Sequence, residues 1–413
     1  MNIPVLTLSV VFLLIAVRHV GNVKLQIWQV MLGGAVVVIL TGEIPLDVAW
    51  HAINFDVMLF LFGMFVVGQA LEESGYLSHL SYKYFKRATT IDGLMLLVLF
   101  GAGFASAFLM NDTLAIIGTP VVLLLAKKHQ MSPKTLLLAL CFAVTIGSVM
   151  SPIGNPQNLL IALNGNFSDP FVTFFRWLFI PTVLNLVLCH VLLKRFYTKD
   201  FHAAELKHSQ EPIRDKELAF LSRVSLHVVL LFIGVKILNV VFALNVDFRL
   251  TTIALAGAFP ILAGSKRRFE ILRRVDWHTL IFFAAMFVLM ESVWHSGFFQ
   301  GVLAGLHIPI ASVEMILGVS TLLSQCISNV PLVALYQPML MHAGASVREL
   351  MALAAASTIA GNMLILGAAS NVIVIQNAER KAHETITFLE FAKIGIPLTF
   401  INLVVYWLFF LIL

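Results

Sequence analysis

Charged residues are scarce in this chain, since only 12% of its 413 residues are Asp, Glu, Lys or Arg while 59% are hydrophobic. A mean hydropathy of +0.93 excludes the packing of an ordinary soluble protein. The charges cluster in short runs between apolar stretches that are long enough to cross about 30 Å of hydrocarbon. We therefore predict an all-α polytopic membrane protein, in which the chain length reflects the number of membrane spans and not the number of soluble domains.

Cysteine is also rare, and the residues Cys141, Cys189 and Cys326 lie in apolar segments without CxxC or Cys/His spacing. This excludes a disulfide framework and gives no support to a zinc site. The Walker loop, the GxSxG elbow, HExxH and the dinucleotide fingerprint are absent as well. We expect neither an enzyme nor a cofactor, and a proton or sodium gradient rather than ATP hydrolysis by this chain as the energy source.

The net charge of +5 comes from Lys and Arg beside the apolar stretches, as the positive-inside bias predicts, so we do not expect a nucleic-acid partner. The first stretch, from Pro4, lacks a basic leader and a small-residue cleavage site, and we expect it to remain as a span. If all basic loops are cytoplasmic, the segment 93–126 is a re-entrant hairpin from the cytoplasmic side and 311–343 is one from the outside. Ten full spans remain, with both termini outside, in the inner (cytoplasmic) membrane.

Three pairs of segments match one another in the same order along the chain. An Asn followed nine residues later by Pro occurs at Asn111 and again at Asn329, near the centres of the two hairpins. The other two pairs are 145–158 with 358–371, and 64–75 with 286–297. Collinear matches of this kind predict an internal repeat.

The repeat predicts how the chain is divided. Each half holds five spans and one hairpin, so the second half starts on the opposite side of the membrane and the repeat has inverted topology. We assign the first repeat to residues 1–198 and the second to 223–413. The segment 199–222, rich in Lys, Glu and His, is predicted to be a cytoplasmic linker.

The hairpin tips are candidate binding sites. A helix broken at mid-membrane leaves unpaired backbone groups, which persist only where they line protein or a wet cavity. Half-helix N-termini suit an anion, whereas free carbonyls and side-chain oxygens suit a cation. Asn111, Asp112 and Thr113 lie at the first tip, and Ser328 and Asn329 at the second. The alternative is that these residues only cap the half-helices, but the repeated spacing favours a site.

Two further segments, 151–158 and 366–371, are predicted to be unwound and to face the tips. Proline and glycine interrupt a helix, and side-chain amides can satisfy the freed backbone. As isolated kinks these residues would mean little, because Pro and Gly are common in membrane helices, so the repeat supports their functional interpretation. The candidate substrate or ion ligands in these segments are Ser151, Gly154, Asn155, Asn158, Gly367, Ser370 and Asn371.

Asp112 is the charged residue that most favours a function, because a carboxylate at mid-membrane is costly and marks an ion or proton pathway. The alternative is a capping aspartate that faces a wet vestibule. Glu291 and Lys236 also lie in apolar stretches, but Glu291 is near a span end and Lys236 can snorkel. Glu72 and Glu73 are expected to be solvated at an interface.

These motifs resemble the ion transporter superfamily. The resemblance rests on the Asn-Asp-Thr tip before Thr119-Pro120, the Ser-Pro-Ile-Gly-Asn-Pro-Gln-Asn segment, and the mirrored Ser328-Asn329 and 367–371. The superfamily includes arsenite and antimonite efflux permeases, sodium/proton antiporters and divalent-anion/sodium symporters. The resemblance implies a scaffold region, a transport region of hairpins and broken helices, elevator-like movement and a homodimer.

The tips depart from the Ser-Asn-Thr signature of the dicarboxylate symporters, in which Ser and Asn bind sodium and Thr helps to bind carboxylate. Here they read Met110-Asn111-Asp112 and Ser328-Asn329-Val330, so only the asparagines are kept. The Asn-Asp pair is more similar to the arsenite permease branch. This implies proton-coupled efflux of arsenite, antimonite or a similar small oxyanion, with Asp112 handling protons and with a possible separate ATPase subunit. The alternative is an anion symporter or a sodium/proton antiporter that binds sodium near Asn111 and Asn329. A channel would differ from all of these because its flux would not depend on the gradient of a second ion.

Overall fold

The structure is a computed structural model that describes residues 2–17, 19–20, 23–24, 26–76, 79, 84–85, 87–201, 213–242, 248–298, 310–327 and 329–412. Eighteen α-helices lie in these ranges. The first nine are α1 Ile3–Val17, α2 Ile27–Leu40, α3 Leu46–Ala52, α4 Phe55–Ser74, α5 Ile91–Leu109, α6 Asn111–Lys128, α7 Pro133–Ser148, α8 Pro156–Asn164 and α9 Pro170–Phe196. The next nine are α10 Lys216–Phe242, α11 Leu250–Gly264, α12 Arg268–Arg274, α13 Trp277–His295, α14 Val313–Ile327, α15 Asn329–His342, α16 Val347–Ile359, α17 Ala369–Ala382 and α18 Phe388–Ile412.

Minor elements complete the described part of the chain. A two-residue antiparallel ladder joins His19–Val20 to Val23–Lys24. Short 3₁₀ helices cover Thr198–Asp200, Ala360–Asn362 and Ile365–Gly367. The all-α prediction is confirmed, with this small ladder as the one departure in the described ranges.

Six helices are long and apolar enough to cross a membrane: α4, α5, α9, α10 over Lys216–Val235, α13 and α18. Four shorter apolar helices, Trp28–Leu40, Pro133–Ser148, Leu250–Gly264 and Val313–Gln325, accompany them. The chain is therefore a multi-pass membrane protein. Several of its crossings combine two shorter pieces, such as α7 with α8.

The order of the elements repeats, because each of α1 to α9 has a counterpart nine helices later. In both halves a short helix precedes a long one (α3 before α4, α12 before α13), and a helical hairpin precedes a broken helix. The packing between halves repeats as well: α4 lies against α11 and α13 against α2, while α6 lies against α17 and α15 against α8. The repeated order and packing of the helices make the fold an inverted-topology repeat.

Equivalent helices even begin with equivalent caps. Asn54 Oδ1 accepts a hydrogen bond from the backbone N–H of Val57 at the start of α4 (3.1 Å). Asp276 Oδ1 does the same for Thr279 at the start of α13 (3.1 Å). A short polar side chain at this position satisfies one of the free N–H groups of the first turn. The chain is thus directed into each long helix in the same way in both halves.

A cluster of ion pairs fixes one end of this bundle. Arg267 lies 3.2 Å from Glu73 at the end of α4, 3.2 Å from Asp215 before α10 and 2.7 Å from Glu270 in α12. Arg274 also pairs with Glu73. The Asp215 carboxylate caps α10 by accepting from Leu218 N (3.0 Å), and this bond together with Arg267 holds its pKa below the usual range. Glu73 is therefore only 14% exposed and paired with arginines, and not simply solvated.

The segment between the halves is shorter than the prediction of 199–222, because α10 already begins at Lys216. Residues 202–212 of this segment lie outside the described residues, and so do the side chains of Lys236 and Cys326. The sequence KELAFL is rich in helix formers, and its apolar members Leu218 and Ala219 are buried. Burial of this face explains why a charged segment continues the helix.

Candidate functional site

The first hairpin turns at a single residue, Met110, between α5 and α6. Its φ of 66° lies in the left-handed region, which is costly for a residue with a side chain. The turn is held by Asn111, whose backbone N–H donates to Gly154 O (2.9 Å) and whose Oδ1 accepts from Asp112 N (2.9 Å). The first tip is therefore attached directly to the unwound segment that follows α7.

Close backbone packing brings the tip and the break to the same level. A Cβ at Gly147 would lie 2.1 Å from the carbonyl oxygen of Gly103, so α5 and α7 touch at their backbones. A Cβ at Gly154 would lie 2.3 Å from Ser148 O. Glycine is required at both positions because any side chain would collide with main-chain atoms. The predicted importance of Gly154 thus has a geometric cause.

The break between α7 and α8 is closed by two asparagines. Asn158 Nδ2 donates to the carbonyls of Ser148, Val149 and Ser151, each at 3.1 Å. Asn155 Oδ1 caps α8 by accepting from Asn158 N (2.9 Å), and its Nδ2 donates to Ser148 Oγ (3.0 Å). These bonds satisfy the carbonyls that α7 leaves free at its end. The first break is therefore largely saturated by its own side chains.

Among the residues that the structure describes, the second break is held by fewer side-chain bonds. Gln325 Nε2 donates to Ala360 O (2.8 Å) and Asn371 Nδ2 donates to Gly361 O (2.7 Å). Gly367 lies against the same group, since its Cβ would be 2.9 Å from Gln325 Oε1. The predicted residue Ser328, at the tip of this hairpin, lies outside the described residues.

The two halves of the site meet through threonines. Thr358, at the end of α16, accepts from Asn155 Nδ2 (3.2 Å) and from Gln157 Nε2 (3.4 Å) and donates to Asn158 Oδ1 (3.3 Å). Its counterpart Thr145, at the end of α7, lies beside Gly361 in the other break. The side-chain amide of Asn329 lies nearby, since a Cβ at Gly361 would be 3.5 Å from Asn329 Nδ2. The structure thus brings the two predicted unwound segments and the second tip together.

Polar atoms without a hydrogen-bond partner in the described structure concentrate at the second break. They are buried, and an unpaired polar atom in a low-dielectric interior is costly, so each is a potential contact for a ligand. All of them are uncharged. The atoms are Thr145 Oγ1, Gln325 Oε1, Asn329 Oδ1, Asn362 Oδ1 and Nδ2, Ser370 Oγ and Asn371 Oδ1.

Asp112 points to a different place from these amides. It lines a cavity of about 40 Å³ between α4, α6 and α17, together with Glu72, Asp276 and Thr113. Thr113 packs against α4, since a Cβ at Gly68 would lie 2.8 Å from Thr113 Cγ2. Asp112 and Thr113 therefore lie where the hairpin meets α4, beside the tip but outside the cluster of amides.

A second cavity of about 460 Å³ is the counterpart of this one in the repeat. It lies between the start of α4, α8, α13 and α15, and its lining includes Asn54, Phe287, Glu291 and Leu160, which correspond to Asp276, Phe65, Gln69 and Ile373 of the small cavity. Glu291 is therefore exposed to a wide cavity and pairs with His295 at 3.6 Å. The two equivalent cavities differ about tenfold in volume.

Four residues of the site were not predicted as ligands: Gln325, Asn362, Thr145 and Thr358. The threonines are matched positions of the repeat, and that match was a signal that could have identified them. Gln325 lies four residues before Asn329, one helical turn from the tip. Asn362 interrupts an otherwise apolar run in the second break, as Ser151 does in the first.

Comparisons with known proteins agree with this geometry. A family model described as "Citrate transporter" matches residues 10–349. The chain is 29% identical over 412 residues to a 46 kDa membrane protein of Mycobacterium leprae, covering 92% of this chain and 93% of that one. It is 27% identical over 434 residues to the silicon efflux transporter LSI3 of Oryza sativa subsp. japonica, covering 89% of each. The crystal structure of the YdaH transporter of Alcanivorax borkumensis has a similar fold, with a TM-score of 0.61 at 16% identity over 99% of this chain and 96% of that one.

Proposed function

Because this chain belongs to the citrate transporter family of secondary transporters, we propose that it exports arsenite, antimonite or a similar small oxyacid in exchange for protons. The observation that carries the proposal is the set of uncharged, unpartnered donors and acceptors at the second break. A small molecule with several hydroxyl groups both donates and accepts hydrogen bonds, so it can satisfy such a set without a charged partner. The substrate is held between Asn111 at one tip and Asn329 at the other.

The lack of positive charge in the site favours an uncharged oxyacid over citrate as the substrate. A tricarboxylate in a low-dielectric site needs cationic partners, and Arg is the residue that best matches a carboxylate. The described residues that form the two breaks carry Asn, Gln, Ser and Thr but no Lys, Arg or His. The name of the relative LSI3, a silicon efflux transporter, also supports a small hydroxylated substrate and an outward direction.

Asp112 is proposed to carry the coupling proton. Its cavity also contains the carboxyl group of Asp276, and no basic side chain is among the described residues that line it. The two carboxylates repel each other in a cavity of about 40 Å³ unless a proton or cation is bound. Since α6 begins at the tip and carries Asp112, loss of that proton changes the contact between the first hairpin and α4.

The wider architecture follows the same proposal. Helices α1 to α4 with α10 to α13 form a scaffold, and the hairpins with α7 to α9 and α16 to α18 form a region that moves as an elevator. The protein acts in the cytoplasmic membrane as a homodimer. A separate ATPase subunit would add a second energy source to the proton gradient.

Sodium coupling is the second candidate. Asn329 Oδ1, Ser370 Oγ and Asn371 Oδ1 are buried oxygens without partners in the described structure, and neutral oxygens of this kind are ligands for a monovalent cation. A sodium ion near Asn111 and Asn329 would convert the same fold into a sodium-coupled anion symporter or a sodium/proton antiporter.

The proposal is tested by uptake of arsenite into inverted membrane vesicles with an imposed pH gradient, with citrate and sodium tested in parallel. Wild type is expected to accumulate arsenite only while the gradient lasts, and Asp112→Asn is expected to lose this accumulation. Asp47→Asn is the matched control, because Asp47 is an exposed carboxylate on the short helix α3. Sodium-driven citrate uptake without arsenite transport, or full activity of Asp112→Asn, refutes the proposal.

A further inference from the structure

Helices α9 and α18 are counterparts in the repeat, and they pack against each other over most of their length. Three side-chain contacts define how they are aligned. The rings of Trp177 and Phe410 lie 6.3 Å apart, and Thr182 Oγ1 lies 2.7 Å from the hydroxyl of Tyr406. Farther along, Lys393 Nζ lies 5.8 Å from the centre of the Phe196 ring.

These contacts show an antiparallel pair with constant register. Between the first two contacts, the position on α9 advances by five residues, from Trp177 to Thr182, and the position on α18 decreases by four, from Phe410 to Tyr406. Between the second and third contacts, the position on α9 advances by fourteen residues, to Phe196, and the position on α18 decreases by thirteen, to Lys393. Two helices of equal rise that run in opposite directions keep such a register over their whole contact.

The register places polar residues opposite one another at the centre of the pair. Asn185 is three residues after Thr182, and Asn402 is four residues before Tyr406, so the two asparagines face each other. By the same spacing Cys189 faces Thr399. Spacings of three, four and seven residues keep each set on one face of its helix. The faces are completely enclosed, since Thr399 is 2% exposed and the other residues are 0% exposed.

The asparagine side chains are nevertheless without partners. Both Oδ1 and Nδ2 of Asn185 and of Asn402, and the Oγ1 of Thr399, make no hydrogen bond with any described residue. The Asn185 amide lies beside the Tyr406 hydroxyl, which is also bonded to Thr182. Asn185 is residue 16 of the 27 in α9, and Asn402 is residue 15 of the 25 in α18, so both lie deep in the apolar layer.

Asn402 has no partner at either end and Asn185 has at most the Tyr406 hydroxyl, and each polar group left unpaired at this depth costs roughly several kcal/mol. Facing polar groups that do not reach each other are the usual sign of a bridging water, which needs two to four polar partners. A bare cation would satisfy the oxygens but would leave both Nδ2 groups unpaired. Water both donates and accepts, and therefore fits the complete set of open atoms.

We propose that the seam between α9 and α18 binds internal water between Asn185, Asn402, Thr399 and Tyr406. This site is separate from the two helix breaks and lies on the contact between the two halves of the repeat. The bound water joins the two helices by hydrogen bonds that neither asparagine makes directly. It therefore holds the register of α9 against α18 inside the membrane.

The test is X-ray radiolysis of the whole purified protein, followed by peptide mass spectrometry. Hydroxyl radicals from bulk solution do not reach a fully buried side chain, whereas radicals formed from a bound water oxidise the side chains next to it. Tyr406 and Cys189 are the reporters in the seam. Cys141 on α7, also 0% exposed and outside the seam, is the background reference.

The expected result is oxidation of Tyr406 and Cys189 several-fold above Cys141, falling to the level of Cys141 in the double variant Asn185→Leu, Asn402→Leu. The comparison within wild type stands even if the double variant does not fold. Oxidation of Tyr406 and Cys189 no greater than that of Cys141 overturns the proposal. A second measurement compares the melting temperature in choline chloride with that in sodium chloride. If sodium raises the melting temperature of wild type but not of the double variant, the seam binds a cation and the water proposal is overturned.

Discussion

Asn158 and Asn371 occupy matched positions after the two breaks, and the structure predicts opposite consequences of replacing them by alanine. Asn158 Nδ2 donates to three carbonyls at the end of α7. Asn371 Nδ2 donates to one carbonyl, that of Gly361, and its Oδ1 has no partner in the described structure. The first side chain therefore maintains the fold, whereas the second has an oxygen available for a ligand.

The expected losses of stability follow from these bonds. One amide has two N–H groups, so it fully satisfies at most two carbonyls, and each buried group left unpaired costs about 1–3 kcal/mol. Asn158→Ala should thus lose roughly 2–6 kcal/mol and Asn371→Ala roughly 1–3 kcal/mol. Asn164→Ala is the matched control, because Asn164 is an exposed asparagine at the end of the same helix as Asn158.

The assay is thermal and chemical unfolding in detergent, combined with transport normalised to the amount of folded protein. Asn158→Ala should be the least stable of the three variants and should keep transport in the fraction that folds. Asn371→Ala should be more stable but inactive. Equal stabilities, a reversed order, or full transport by Asn371→Ala would refute the division of the site into a saturated half and an open half.

Three further outcomes are expected. Gly147→Ala should strongly lower the melting temperature, because its Cβ would lie 2.1 Å from Gly103 O, whereas Gly33→Ala, with nothing within 4 Å, should leave it unchanged or raise it. Arg267→Gln should cost about 1 kcal/mol or less in unfolding measurements, and less at high salt, because its side chain is partly exposed and screened. The pKa of Asp215 is lowered by the Leu218 N–H and Arg267, so its stabilising effect is present above the ordinary value of 3.8. Unfolding as a function of pH should show the stability gap between wild type and Asp215→Asn closing as the pH falls below that value.

The outline of the site could be predicted from the sequence because its determinants are local. An Asn followed by Pro nine residues later marks each tip, and Pro or Gly with Asn marks each break, so the turn lies at Met110–Asn111 as the pattern indicates. The unwound segment covers 149–155 rather than the predicted 151–158, because the next helix already begins at Pro156. The bounds of the first hairpin differ by only two residues at each end, 91–128 against 93–126. Turn chemistry and helix interruption depend on neighbours in sequence.

Whether each side-chain amide is fully hydrogen-bonded or has an open polar atom could not be predicted in this way. Asn158 and Asn371 are equivalent in the repeat, yet one is saturated by three carbonyls and the other is half open. This difference depends on the path of the backbone between residues that are distant along the chain. The same holds for Thr358, whose hydrogen bonds join the two halves, and for Asn185 and Asn402, which face each other only because of the register of α9 on α18.

The unequal volumes of the two equivalent cavities also limit which molecules can occupy each of them. The cavity next to Asp112 has a volume of about 40 Å³, close to the space of one water molecule. The cavity next to Glu291 has about 460 Å³ and is lined by Phe287, Met290 and Trp294. If this cavity opens to the outside, as the positive-inside bias predicts, an inhibitor that consists of a small apolar ring with one hydrogen-bonding group would enter from outside and would hold the protein in the conformation described above. The same compound would find no room in the smaller cavity on the other side.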